Sequence, residues 1–146
     1  MKIVIFGGTG FVGLNLAEVL LARGHEVTLY DRAALPPSAQ RSLADYGARL
    51  TTVQGDITDA EAIDALIAKG CDTIVLGAAV TAGNDLERAS PARVLEINVM
   101  AQIPILQAAI RHRVGLQPDA EIEGVSADDC VAEILREVRV PATIAA

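Results

Sequence analysis

Three glycines, Gly7, Gly10 and Gly13, stand at G-x-x-G-x-x-G spacing in K-I-V-I-F-G-G-T-G-F-V-G, and an acid, Asp31, follows about two dozen residues after the first of them. Glycine at such positions frees the backbone. Gly7 lets the chain turn sharply off a strand, Gly10 lets main chain approach a pyrophosphate, and Gly13 lets a helix pack close to a sheet. The unpaired N–H groups and positive dipole end of that helix then face the anion. Asp31 stands where a carboxylate accepts hydrogen bonds from the diol of an adenosine ribose, and its charge repels a 2′-phosphate, which favours NAD over NADP. Arg32 pulls the other way, because an arginine there can hold that phosphate. An ordinary tight turn and a solvated loop acid are the plain alternatives for these two features.

Other reactive groups are sparse. Cys71 and Cys130 are far apart and form no C-x-x-C, as expected of reduced thiols in a cytoplasmic protein. His25 and His112 are isolated, and no metal site is expected. The chain has 146 residues, 51% of them apolar but only 3% aromatic, so one domain with a core of Ala, Val, Leu and Ile is expected. A net charge of −7 argues against a general role on nucleic acid or anionic membranes. No apolar run reaches the ~18 residues of a membrane span, and Met1-Lys2 runs straight into a strand, so neither a span nor a signal peptide is expected.

The elements that must position these residues alternate. Ile3, Val4, Ile5 and Phe6 read as a strand buried on both faces. A helix over 11–23 follows, with Val12, Leu16, Val19 and Leu20 as its buried stripe and Gly24 as its C-cap. Residues 26–30 make a second strand ending at Asp31-Arg32. Pro36-Pro37 opens a helix through about residue 46, closed by Gly47, and 49–54 is a third strand. Asp56 lies just past that strand, on the carboxyl edge shared with the glycine turn and Asp31, where open parallel sheets bind ligands. Asp59 caps a helix over 60–69 that Gly70 ends. A fourth strand, 73–76, runs into the small residues of 77–83, which leave room for a flat ring or a sugar-phosphate, although packing economy explains them as well. Pro91 begins a long helix over 92–113, apolar on more than one face, which Pro104 must kink or split. Such βαβ units predict an α/β, Rossmann-like doubly wound parallel sheet, here partial, with strand order 3-2-1-4. The organisation expected is a domain over 1–114 and a short tail over 115–146, with Ser126 capping a helix over 127–137 and 138–144 as an edge strand.

In that order, G-G-T-G-F-V-G, Y-D-R, G-D-I-T-D, the A-A after the fourth strand and I-N-V-M in the long helix resemble the extended short-chain dehydrogenase/reductases. More narrowly, they resemble the NAD-dependent epimerase/dehydratases acting on nucleotide sugars and related substrates. The resemblance covers residues 1–114 and implies a bound NAD(P). Gly7, Gly10 and Gly13 would hold its pyrophosphate, with main-chain contacts from Phe11 and Val12. Asp31 would hold the adenosine ribose, Asp56 and Ile57 the adenine, and Ala78 and Ala79 would lie beside the cofactor. Asn98 takes the family's Asn position on the long helix, and a homodimer built on helix 92–113 is implied.

The sequence also departs from the family. Members continue into a fifth strand ending in Ser or Thr, a Tyr-x-x-x-Lys and a substrate domain. The Tyr is the acid/base, and the Lys lowers its pKa. This chain has Tyr30 and Tyr46, Lys2 and Lys69, and neither tyrosine has a lysine four residues on. Thr81 is the hydroxyl closest to the inferred nicotinamide end. G-L-Q-P-D-A-E-I-E-G, from Gly115, is similar to the G-x-x-P stretch near the family's C-terminus. A Rossmann half joined to a C-terminal tail without the middle would give this pattern, and so would a naturally short tail. The expectation is a chain that binds NAD and turns nothing over. The alternatives are a non-catalytic NAD(P)-binding module or redox sensor, and a truncated product.

Overall fold

The computed structural model describes residues 1–80, 89–114, 122 and 124–137. Thr81 and the small residues after it, most of the stretch from Gly115, and the expected strand over 138–144 lie outside the described residues. Four parallel strands, β1 (Lys2–Phe6), β2 (Glu26–Asp31), β3 (Leu50–Gln54) and β4 (Thr73–Leu76), form one sheet in the order β3-β2-β1-β4. This is the expected partial Rossmann-like arrangement. β1 is apolar at consecutive positions because both its faces are covered. Ile3 and Ile5 pack with Val27, Leu29 and α1 (Phe11–Ala22), while Val4 and Phe6 pack on the other face with Ile63, Ile97 and Ile105.

The stripe expected on α1 is corrected in part, with Leu16 and Leu20 half-buried against the core. Gly13, Ala17 and Leu21 face the sheet, whereas Val12 is 72% exposed and Val19 is exposed as well. The helix is apolar nearly all round, so hydrophobic periodicity cannot choose its face. Close packing chooses instead, because glycine and alanine allow the shortest approach to the sheet. Gly24 ends the helix as expected. It has φ +85°, its N–H reaches the Leu21 carbonyl at 3.0 Å, and His25 N–H reaches the Leu20 carbonyl at 3.1 Å.

The helix expected over 36–46 is shorter. α2 (Pro37–Ser42) gives way to a 3₁₀ turn over Ala44–Arg49 that contains Gly47 at φ +52°. α3 (Ala60–Ile67) is capped by Asp59, whose carboxylate accepts the Ala62 N–H at 3.0 Å.

The long helix does break, but on the N-terminal side of Pro104. α4 (Pro91–Leu95) passes into a π turn, Glu96–Met100, before α5 (Gln102–Arg111) begins. Proline has no N–H for the carbonyl four residues back, and its ring crowds that carbonyl, here Met100. The irregular turn therefore ends at Met100, and Pro104 falls in the first turn of α5. Ile97, Ala101, Ile105 and Ala108 bury one side of this helical stretch, and Leu95, Val99, Met100, Ile103, Leu106 and Ile110 are exposed on the other.

α6 (Ala127–Glu137) begins in a reciprocal cap. Ser126 Oγ accepts the Asp129 N–H at 3.2 Å, and Asp129 accepts from Ser126 N–H at 3.0 Å and from its hydroxyl at 2.6 Å. α6 packs against α5, where Arg111 donates to Asp128 of α6 and, at 2.8 Å, to Asp64 of α3. No helix among the described residues is long and apolar enough to cross a membrane.

Candidate functional site

The carboxyl ends of all four strands open onto one cleft of about 320 Å³. Its first wall is the turn between β1 and α1. Gly7 (φ +77°) and Gly8 both donate to the Tyr30 carbonyl, at 2.9 and 3.3 Å, and a Cβ on Gly7 would stand 2.6 Å from the Ala78 nitrogen. A Cβ on Gly13 would stand 2.5 Å from the Gly7 carbonyl oxygen, so α1 starts directly on top of the turn. Gly10 borders the cleft, and a Cβ there would meet nothing but the Gly7 oxygen, at 3.3 Å. Gly10 is also the N-cap of α1, and it carries no side chain that could accept the first N–H groups. The opening donors of α1, from Phe11 onward, therefore have no intrahelical or capping acceptor. Phe11 and Val12 send their side chains to solvent and do not line the cleft.

Asp31 is the last residue of β2. Its Oδ2 accepts the Thr9 N–H and its Oδ1 the Ala33 N–H, both at 3.0 Å, which ties the glycine turn to the segment after β2. Each carboxylate oxygen keeps a second acceptor position. Arg32 lines the cleft beside it.

Across β3, Asp56 accepts from the Thr58 N–H at 2.9 Å and from its hydroxyl at 2.8 Å. These two bonds, and more weakly the positive charges of Arg93 and Arg32, hold its carboxyl below the usual range against a small opposing effect of burial. Ile57 borders the cleft while its side chain belongs to the core.

Ala78 and Ala79 form the opposite wall. Asn98 is not in the lining. Its side chain accepts the Val80 N–H at 2.7 Å and donates to the Val80 carbonyl at 3.1 Å, so it holds the segment that lines the cleft.

Of the residues singled out in the sequence, Gly7, Gly10, Asp31, Arg32, Asp56, Ile57, Ala78 and Ala79 come together around this cleft, whereas Phe11, Val12, Gly13 and Asn98 stand behind it. Four further residues were missed. Thr9 bonds Asp31 through its backbone, which no side-chain pattern announces. Tyr30 forms part of the lining, and its hydroxyl donates to the Asp56 carbonyl at 2.9 Å; burial first, then the charges of Asp59 and Asp56, push its phenol above the ordinary value. Arg93 reaches the cleft from α4, paired with Glu96 at 2.8 Å. Gln102 donates to the Ala78 carbonyl at 3.2 Å and the Ile97 carbonyl at 3.3 Å. Gln102 had a signal: with Asn98 it makes a polar pair four residues apart in the otherwise apolar run from Ile97 to Leu106.

The chain is similar to known proteins over this region. The model of the NAD dependent epimerase/dehydratase family matches residues 3–117. The dTDP-glucose 4,6-dehydratase of Mycolicibacterium smegmatis is 36% identical over 118 residues, which cover 80% of this chain and 35% of that enzyme. The 3-beta-hydroxysteroid dehydrogenase of Mycolicibacterium neoaurum is 44% identical over 79 residues, 54% of this chain and 19% of that one. The structure of UDP-glucose 4-epimerase from Brucella ovis in complex with NAD superposes with a TM-score of 0.64 at 25% identity, covering 77% of this chain and 33% of the epimerase. The chain thus spans about a third of the dehydratase's length. On the match over residues 3–117, this chain belongs to the NAD dependent epimerase/dehydratase family.

Proposed function

We propose that the cleft binds NAD, with the pyrophosphate at the start of α1 and the adenosine ribose at Asp31. The observation that carries this reading is the uncapped N-terminus of a twelve-residue helix beside a carboxylate in the same cleft. Backbone donors and the helix dipole suit the anion, and the carboxylate suits a diol. Gly7, Gly10 and Gly13 shape the pyrophosphate wall, Phe11 and Val12 supply N–H groups, and Asp56 and Ile57 border the adenine. Ala78 and Ala79 lie against the dinucleotide, with Asn98 behind them. The chemistry NAD supplies when bound is reversible hydride transfer. This chain's own residues bind and orient the dinucleotide.

Calorimetric titration with NAD and, separately, NADP tests the reading. Saturable binding that favours NAD is expected, and a folded sample that binds neither overturns it. Gly10→Val should abolish binding by filling the pyrophosphate space. Asp31→Ala should weaken NAD and relatively favour NADP.

The substrate type we infer is a nucleotide sugar or a related molecule. The lack of a Tyr-x-x-x-Lys in the sequence supports cofactor binding without turnover by this chain itself, as a non-catalytic module or redox sensor. Two free thiols fit a cytoplasmic setting. The exposed row of Leu95, Val99, Ile103, Leu106 and Ile110 supports a homodimer through 92–113. Light scattering should give twice the monomer mass, and Leu106→Glu with Ile103→Glu should return it to one.

A further inference from the structure

We infer that Gln102 is a positioning residue for the cleft, setting its affinity for the dinucleotide without touching it. The inference rests on the cleft binding NAD, as proposed above. Gln102 opens α5, and Asn98 lies within the π turn before it, where Ala101 N–H bonds the Glu96 carbonyl five residues back at 2.8 Å. Across that turn both amides act on one short segment, Gln102 on the Ala78 carbonyl and Asn98 on both polar groups of Val80. Ala78 and Val80 line the cleft, and Ala78 also backs onto Gly7. The wall facing the glycine turn is therefore fixed by side chains from a helix some twenty residues further on.

Gln102 is a poor choice for stability alone. Its Oε1 is buried and has no hydrogen-bond partner among the described residues, a costly state for an acceptor. A leucine of similar size would remove that orphan oxygen, and with it the bond donated to the Ile97 carbonyl within the same helical stretch. What the leucine loses at the cleft wall is the hold on Ala78. Stability and affinity should then move in different directions, which a merely structural role would not produce.

The experiment compares the full chain with Gln102→Leu and Gln102→Met. Thermal unfolding gives stability, NAD titration well below the melting temperature gives affinity, and amide exchange at Val80 reads the segment directly. The expected result is an unchanged or raised Tm, NAD affinity lower by about tenfold, and faster exchange at Val80 with β1 amides unaltered. Unchanged affinity, or affinity and stability falling together, overturns the inference. Wild-type protein that binds no NAD overturns the cleft reading instead, before any variant is made. The hold on the segment is then judged by Val80 exchange alone, and unaltered exchange in both variants overturns it too.

Discussion

Two walls face each other across the cleft, and they are held by different means. The turn between β1 and α1 is held mostly by main chain: two N–H groups on the Tyr30 carbonyl, a left-handed Gly7, and Gly13 pressed against the Gly7 oxygen, with the Asp31 carboxylate on the Thr9 N–H as its side-chain tie. The described residues after β4 take one main-chain bond, from the Gly77 N–H to the Phe6 carbonyl at 2.9 Å, and beyond it are gripped by Asn98 and Gln102. A wall made of backbone contacts has no slack, since any added atom must displace a peptide group. A wall held by side-chain amides can shift by one hydrogen bond at a time. The first should fail all at once and the second by degrees.

Gly13→Val gives the sharpest form of that contrast. Its first carbon alone would overlap the Gly7 oxygen and the Gly8 backbone, so a loss of about 3 kcal/mol is expected in urea unfolding. Gly10→Ala, on the same turn but meeting only the Gly7 oxygen, at 3.3 Å, should lose no more than about 1 kcal/mol while weakening NAD. Equal losses at the two sites would break the picture of a turn closed on its helix side and open on its cleft side. On the opposite wall, Asn98→Leu strips both partners from Val80 and should cost about 2 kcal/mol, measured in the same way.

Asp59→Ala is a calibration. It removes the cap of α3 for about 1 kcal/mol and, lying outside the cleft lining, should leave NAD affinity unaltered in calorimetry. The smallest effect expected is at Asp56. Its folded pKa is depressed, so the stability it contributes is present above the unfolded value of about 3.9 and is lost as pH falls through the folded value. The carboxylate is largely solvated, which keeps the effect small. Asp56→Asn should therefore flatten the acid limb of a stability-against-pH curve below about pH 4 by lowering stability slightly at neutral pH.

The contrast between the walls also explains what the sequence made legible. The glycine turn could be read because sterics act between near neighbours, and three glycines with a strand before and a helix after admit few backbone paths. The strand order followed from βα alternation and right-handed crossovers. The face of α1 was misread in part because Val12 and Val19 are as apolar as the residues actually buried, and what decides is the small size of Gly13 and Ala17, with Leu16 and Leu20 half-buried beside them. Pro104 announced a break, but a proline disturbs the turn before it, and the π turn that results has no signature of its own. Asn98 was placed by family resemblance, whereas its grip on Val80 depends on a tertiary contact between residues 18 apart. Arg93 had no local signal at all, because its place in the cleft lining is set by tertiary structure.

Tyr30 carries one more consequence. The chain has two tyrosines and no tryptophan. Tyr46 sits near the far end of β3 with the Arg49 guanidinium over its ring at 5.5 Å, whereas Tyr30 is buried beneath the cleft, tilted against Phe6 and bonded to the Asp56 carbonyl. Near-ultraviolet circular dichroism of the unmodified protein is therefore dominated by two chromophores in different asymmetric surroundings, and Tyr46→Phe leaves the one under the cleft. That variant carries an intrinsic optical reporter, in which occupancy of the cleft is read as a change in the Tyr30 band without any attached dye.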